Sequence, residues 1–198
     1  MDARDAIAER GLVLLGCGKM GTALLDGWLA GGLPAAAISV IEPQPHPGLT
    51  ARAAEGLRLN AALPEAPAVC LVAVKPQAMA AALPQVAGFG GGRTLVLSIA
   101  AGTPLKVYEA AFGAGTPVVR AMPNTPAAIG RGITALIGNV HAGEAHLALA
   151  EALLKAVGQT VRLTSEAEMD AVTAVSGSGP AYVFHLIECL AAAGVAEG

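Results

Sequence analysis

The amino-acid sequence predicts an α/β fold, with a Rossmann-type, largely parallel sheet in residues 1–163 and a small all-α domain in residues 164–198. Short apolar runs alternate with helical stretches over most of the chain, which is the pattern of parallel βα units. The first apolar run ends in a glycine-rich turn that opens a helix. After residue 164 only helical periodicity remains, so the domain boundary is placed there.

The predicted elements follow from these apolar runs in order. Strands are predicted at residues 11–15, 38–41, 69–74, 94–99, 117–120 and 133–137, because each is a short, largely apolar run of residues. Helices are predicted at residues 20–31, 144–157, 166–175 and 181–195, because apolar residues recur there at helical spacing.

Composition excludes several classes of protein. Apolar residues make up 54% of the 198 residues, so the chain is not intrinsically disordered. Aromatic residues make up only 3%, the net charge is −3 and no Lys/Arg cluster occurs, so no nucleic-acid partner is predicted. The three cysteines, Cys17, Cys70 and Cys189, have neither disulfide nor metal-ligand spacing, and are interpreted as core residues of a cytoplasmic protein without a metal site.

The sequence also predicts no membrane span. The longest apolar run, residues 181–196, is interrupted by His185 and Glu188. The N-terminus lacks the apolar core of a signal peptide. Both observations favour a cytoplasmic protein.

The turn after the first predicted strand reads Gly16-Cys17-Gly18-Lys19-Met20-Gly21, the spacing that binds a dinucleotide pyrophosphate. The first glycine permits the tight turn, the second lets the pyrophosphate approach the backbone, and the third lets the helix pack on the strand. Free N–H groups and the helix dipole favour an anion at this position. We therefore predict that these six residues bind the pyrophosphate.

Glu42 follows the second predicted strand, where an acidic residue hydrogen-bonds the ribose 2′-OH in NAD-binding proteins. Taken alone it indicates NAD, and the alternative interpretation is a solvated carboxylate at a strand end. A 2′-phosphate would need other groups, for which Gln44, His46 or Arg52 are candidates. The choice between NADPH and NADH therefore stays open.

Three further loops follow predicted strands, at the sheet edge where ligands bind in open parallel sheets. They are Ala73-Val74-Lys75-Pro76, Ser98-Ile99-Ala100-Ala101-Gly102 and Arg120-Ala121-Met122-Pro123-Asn124-Thr125-Pro126. Small residues and prolines dominate them, so they offer backbone groups and shape more than titratable side chains.

Together with residues 170–184, which contain Ser176-Gly177-Ser178-Gly179-Pro180-Ala181-Tyr182, these loops resemble pyrroline-5-carboxylate reductase, the family of the last step of proline biosynthesis. The resemblance extends from Leu12 to Cys189 in the expected order and spacing. The MPNTP and SGSGPAY segments are much more specific than the glycine turn.

The resemblance implies an enzyme that reduces 1-pyrroline-5-carboxylate to L-proline with NADPH or NADH. The further cofactor-binding residues it implies are Asn60, Val74, Lys75, Pro76, Ala100, Ala101, Gly102 and Met122. The substrate-binding residues it implies are Asn124, Thr125, Glu166, Ser176, Gly177, Ser178 and Gly179. For Glu166 the alternative is a carboxylate at a helix start that the helix dipole favours. No side chain is assigned a catalytic role, because the cofactor supplies the chemistry.

The resemblance also implies a homodimer or higher homo-oligomer formed through the helical second domain. The family's second domain is longer and carries a Ser-Pro-Gly-Gly-Thr-Thr segment that contacts the substrate, which residues 164–198 do not contain. We therefore expect a shortened second domain, reduced or lost catalysis, and an exposed apolar face at Val183, Leu186, Ile187 and Leu190.

Two other functions are open at this stage. A β-hydroxyacid dehydrogenase of the same superfamily would need a catalytic lysine after the glycines of the second domain, where this chain reads Pro180-Ala181-Tyr182-Val183. The other is a dinucleotide-binding or sensing module without turnover, since fold alone does not imply function.

Overall fold

The computed structural model describes residues 3–198. Within them eight strands form one sheet: β1 (Leu12–Leu15), β2 (Ile38–Ile41), β3 (Arg58–Leu59), β4 (Val69–Val72), β5 (Leu95–Ser98), β6 (Val118–Met122), β7 (Gly132–Gly138) and β8 (Gly158–Arg162). Eight α-helices accompany them in the described residues: α1 (Ala3–Arg10), α2 (Lys19–Ala30), α3 (Pro47–Ala54), α4 (Met79–Ala82), α5 (Leu105–Phe112), α6 (Glu144–Leu154), α7 (Glu168–Val172) and α8 (Gly179–Glu197).

The sheet has the strand order β3-β2-β1-β4-β5-β6-β7-β8, and every pair is parallel except β6 with β7. The chain builds β2 and β3 on one side of β1 and then returns to place β4 on the other side. The crevice beyond the carboxyl ends of β1 and β4 is therefore the topological switch point, where open α/β sheets bind ligands.

The predicted fold class is confirmed, and every predicted strand is found. The predicted strand at residues 38–41 matches β2 residue for residue, and β6 continues two residues beyond its predicted end. Helices α1, α3, α4 and α5 were not predicted. The boundary at residue 164 stays a prediction.

Successive residues of a strand point to opposite sides of the sheet, so the apolar strands present side chains on both faces. Each face is covered by a core cluster. Leu12 and Leu14 of β1 belong to a core cluster with Trp28 of α2. Val13 and Leu15 belong to the opposite cluster, which includes Tyr108 of α5. Cys17 and Cys70 are buried as predicted, whereas the prediction was wrong for Cys189, which is exposed on α8.

The long helix α8 is not covered, and every residue from Ala181 onward is exposed. The predicted apolar face is present, with Val183, Leu186, Ile187 and Leu190 each 46–64% exposed. The stretch Glu168–Glu197 contains an 18-residue window with a mean hydropathy of 1.4 and is long enough to cross a membrane by length and composition alone. The interruption at His185 and Glu188 therefore does not exclude a span, although length and composition are weak grounds for one.

Candidate functional site

Two glycines of the turn after β1 allow a close approach of backbones. Gly16 has a φ of +87°, and a Cβ there would lie 2.8 Å from Val74 Cγ1 and 3.1 Å from the Ala73 backbone. A Cβ on Gly21 would lie 2.9 Å from the Gly16 carbonyl oxygen. These contacts seat the start of α2 against the turn and against the loop that follows β4, as the glycine spacing predicted.

Gly18 differs from the other two, because nothing lies within 4 Å of the position of its Cβ. It is the N-cap residue of α2, and no side chain caps the helix there. A cleft of about 660 Å³ extends from this point. Its lining residues are Gly18, Lys19, Met20, Thr22, Ala23, His46, Thr125 and Ala128. An uncapped helix N-terminus that opens into a cleft fits the pyrophosphate of a dinucleotide.

The carboxylate of Glu42 is turned back onto the glycine turn. Its Oε2 accepts a hydrogen bond from Cys17 N at 2.8 Å, and its Oε1 accepts one from Gln44 N at 3.1 Å. Asn60, which adopts a left-handed φ of +50°, accepts from Glu42 N and donates to Glu42 O, both at 2.9 Å. Asn60 thus fixes the backbone that carries Glu42, and its predicted contact with adenosine stays a prediction.

The other candidates after β2 are held by neighbours. His46 Nδ1 accepts from Leu49 N at 3.2 Å and caps α3, so a neutral ring carries its proton on Nε2, which lies 3.1 Å from Thr22 Oγ1. Arg52 forms an ion pair with Asp26 of α2 at 2.5 Å. Cys17 is buried in the turn, and this burial raises the pKa of its thiol, so it is protonated at neutral pH.

The loop after β5 is fixed from below by two buried hydroxyl groups. Ala100 N donates to Ser98 Oγ at 3.2 Å, and the Ser98 hydroxyl donates to the hydroxyl of Tyr108. Tyr108 is fully buried, and burial raises the pKa of its phenol. The backbone of the predicted loop Ala100-Ala101-Gly102 is therefore anchored to α5.

Arg120 and Glu166 join the sheet to the helical end of the chain. Arg120 lies buried on β6, and its Nη1 donates to Glu166 Oε1 at 2.8 Å. The same oxygen accepts from Leu105 N, at the start of α5, also at 2.8 Å. A polar cavity of about 350 Å³ adjoins the pair and is lined also by Gly102 and Asp170. Arg120 was not among the predicted site residues.

The loop after β6 contacts the segment that precedes α8. Asn124 Nδ2 donates to Ser176 Oγ at 3.2 Å, while Asn124 Oδ1 accepts from Ile133 N at 3.0 Å. A Cβ on Gly177 would overlap Met122 Cε. Thr173–Gly177 form a π-helical turn, a feature frequent at functional sites. The structure thus brings predicted cofactor-side and substrate-side residues together.

Some predicted residues make fewer contacts. Val74 packs against Gly16, but Lys75 and Pro76 are exposed at the start of a short helical turn. Thr125 lines the cleft and Ser178 is exposed before α8. Residues 3–198 contain no group of three or more His, Cys, Asp or Glu that would hold a metal ion.

Fold and site together define a dinucleotide-binding α/β protein of the Rossmann class. Residues 166–198 match the family model described as pyrroline-5-carboxylate reductase dimerisation, and residues 11–102 match that of NADP oxidoreductase, coenzyme F420-dependent. Pyrroline-5-carboxylate reductase of Pseudomonas aeruginosa is 40% identical over 92% of this chain and 68% of its own length. The chain belongs to the pyrroline-5-carboxylate reductase family.

Solved structures agree with this assignment. A pyrroline-5-carboxylate reductase from Coxiella burnetii superposes with a TM-score of 0.83 at 28% identity, over 93% of this chain and 70% of that one. The Plasmodium falciparum pyrroline carboxylate reductase, solved with NADP bound, superposes with a TM-score of 0.83 at 26% identity, over 96% and 71%. The chain thus spans about two thirds of the length of these relatives.

Proposed function

We propose that this chain reduces 1-pyrroline-5-carboxylate to L-proline, with NADPH or NADH as the hydride donor. One observation carries the proposal. The Met122–Asn124 loop, which directly precedes Thr125 on the wall of the glycine-turn cleft, contacts Ser176 and Gly177 of the specific SGSGPAY segment. This contact supports a cofactor site and a substrate site side by side, and the relatives named above carry this activity in their names.

Binding of the cofactor is assigned to backbone groups. Gly18 and the uncapped start of α2 would hold the pyrophosphate, and the anchored loop Ala100-Ala101-Gly102 would flank the nicotinamide. When bound, the reduced nicotinamide supplies a hydride to the C=N carbon of the imine, whose nitrogen carries a proton. The protein's own task is to orient two rings and to keep water away from them.

The substrate side is assigned to Asn124, Ser176 and Glu166. Asn124 holds the Ser176 hydroxyl from one side. Oε1 of Glu166 accepts hydrogen bonds from Arg120 and from Leu105 N. Its Oε2 is therefore available to the polar cavity beside Gly102. We propose that Glu166 fixes the position of the loop Ala100-Ala101-Gly102 relative to the bound imine, and that it does not supply a proton.

We also propose that α8 mediates a homodimer. Its apolar side chains are exposed along the helix, and residues 166–198 match the dimerisation model of the family. Contiguous exposed apolar surface of this kind is typical of an interaction site. We also propose a cytoplasmic location, because a homodimer would cover the apolar side chains of α8 without a membrane.

The activity is tested by following NADPH and NADH oxidation in the presence of pyrroline-5-carboxylate, with L-proline identified by mass spectrometry. Asn124→Ala is expected to lower kcat/KM by about tenfold or more, the effect of about 1.4 kcal/mol of lost transition-state stabilisation. Gln85→Ala, an exposed amide remote from the cleft, is the matched control and should leave kcat/KM unchanged. Cofactor binding without any oxidation would refute the proposal and favour a sensing module.

A further inference from the structure

Glu42 lies just beyond the end of β2, and backbone hydrogen bonds hold its negatively charged carboxylate. Both carboxylate oxygens of Glu42 accept backbone hydrogen bonds, from Cys17 N at 2.8 Å and from Gln44 N at 3.1 Å. Asn60 clamps the Glu42 backbone through its N–H and its carbonyl, both at 2.9 Å. Rotation of the Glu42 side chain would leave the partly buried Cys17 N–H without its acceptor.

We propose that Glu42 makes this chain select NADH over NADPH. The inference rests on the proposed function only in requiring a nicotinamide dinucleotide on the glycine turn. In the Rossmann fold the adenosine ribose lies at the end of this strand, next to the turn. Each carboxylate oxygen has a second lone pair, so Glu42 can accept from a ribose 2′-OH while it keeps its bonds to the backbone.

The 2′-phosphate of NADPH, in place of the ribose 2′-OH, would be disfavoured by Glu42. A phosphate monoester carries a charge of about −1.5 to −2 at neutral pH. Beside the Glu42 carboxylate it is repelled, and it offers acceptors where Glu42 also offers only acceptors. Selection against NADPH thus follows from the same atoms that favour the ribose hydroxyl.

The nearby cations are not placed to reverse this preference. Arg52 is paired with Asp26, and it lies six residues beyond the helix cap His46, about 9 Å along the α3 axis and away from the carboxyl edge of the sheet. His46 is engaged by Leu49 N and Thr22. Arg58 lines a cavity with Glu9 and Gly11, at the amino ends of the strands.

Lys19 is the remaining cation of this region, and it begins α2 beside the pyrophosphate position. Its charge is available to the phosphates that both dinucleotides share, so it raises the affinity for both. The Plasmodium falciparum relative was solved with NADP. Selection for NADH would therefore be a property of this chain, given by Glu42 and its neighbours, and not one that all its relatives share.

The test is direct binding, measured by nicotinamide fluorescence with the unmodified chain. We expect the dissociation constant for NADH to be lower than that for NADPH by about tenfold or more, the effect of one charged hydrogen bond gained or lost. Glu42→Gln keeps the size and one acceptor, and should reduce the ratio of the two constants about tenfold. Glu65→Gln makes the same change of charge at a 91% exposed site before β4 and should leave the ratio unchanged.

Two results would overturn the inference: NADPH binding at least as tightly as NADH, or an unchanged ratio in Glu42→Gln. The first needs no variant, so it decides the matter even if Glu42→Gln does not fold. Failure here is distinct from failure of the proposed function. A chain that prefers NADPH and still reduces pyrroline-5-carboxylate refutes only the selectivity, and a chain that prefers NADH without reducing the imine refutes only the activity.

Discussion

Gly16 and Gly18 lie two residues apart in one turn, yet an added methyl group meets different surroundings at each. At Gly16 it meets Val74 and the Ala73 backbone, in a conformation that L-residues rarely adopt. We expect Gly16→Ala to lower the free energy of unfolding by about 3 kcal/mol, as the sum of left-handed strain and overpacking. Urea denaturation followed by circular dichroism measures this loss.

Gly18→Ala is the matched control within the same turn, because its methyl group enters open space. Loss of a glycine N-cap costs at most about 1 kcal/mol of stability. The methyl group would however stand where the pyrophosphate approaches α2, so the affinity for NADH should fall by about tenfold or more. Equal losses of stability in the two variants would contradict this division of roles.

At the scale of single residues, the sequence predicted those residues whose role depends on the local backbone conformation. The glycine turn was predictable, because its chemistry follows from spacing and from the flanking strand and helix. Arg120 was not, since its partner Glu166 lies 46 residues away and only the fold brings the two together. The pairing of Asn60 with the Glu42 backbone was hidden for the same reason.

Among the elements, buried strands were the most predictable and short helices the least. A strand such as β2 is an uninterrupted apolar run between turn formers, so its pattern survives any tertiary context. Helix α3 begins at Pro47 and follows Pro43 and Pro45, and such a proline-rich segment does not show helical periodicity although proline is favoured in the first helical turn. Helix α1 has one buried residue, Ile7, and so shows no apolar periodicity.

The pair Arg120–Glu166 connects three elements, because Glu166 Oε1 also accepts from the start of α5. We expect Glu166→Gln to cost about 2 kcal/mol of stability, less than a fully buried pair since the Glu166 side chain is 33% exposed. Helix α5 also anchors, through Tyr108, the loop Ala100-Ala101-Gly102 that we propose to flank the nicotinamide. Glu166→Gln should therefore raise the KM for the imine as well.

A double-mutant cycle with Arg120→Met isolates the interaction in urea denaturation. We expect a coupling free energy of about 1–2 kcal/mol, as for other partly buried charged pairs. Glu168→Gln, an exposed neighbour whose hydrogen bonds go to Thr164, serves as the control and should show no coupling to Arg120. Strictly additive losses for Arg120 and Glu166 would contradict the role of the pair as a connection between elements.

At the scale of the whole molecule, the sheet and α8 meet different requirements. The sheet buries both faces within the chain, whereas α8 buries almost nothing there. The sequence predicted this contrast, because Val183, Leu186, Ile187 and Leu190 recur at helical spacing without neighbours to cover them. Which partner covers them is a property of the assembly, and a single chain does not contain that information.

The last prediction concerns that partner. If α8 forms a dimer, the double variant Leu186→Glu/Leu190→Glu should raise the dissociation constant of the dimer about ten-thousandfold, since the homodimer loses four leucines that each contribute about 1.5 kcal/mol when buried. Sedimentation velocity over a concentration series measures this change. Val140→Glu places the same charge at a 93% exposed apolar residue after β7, and should leave the dimer intact. An unmodified chain that sediments as a monomer and floats with neutral phospholipid vesicles would show that α8 serves a membrane, because an apolar helix of this length satisfies either environment.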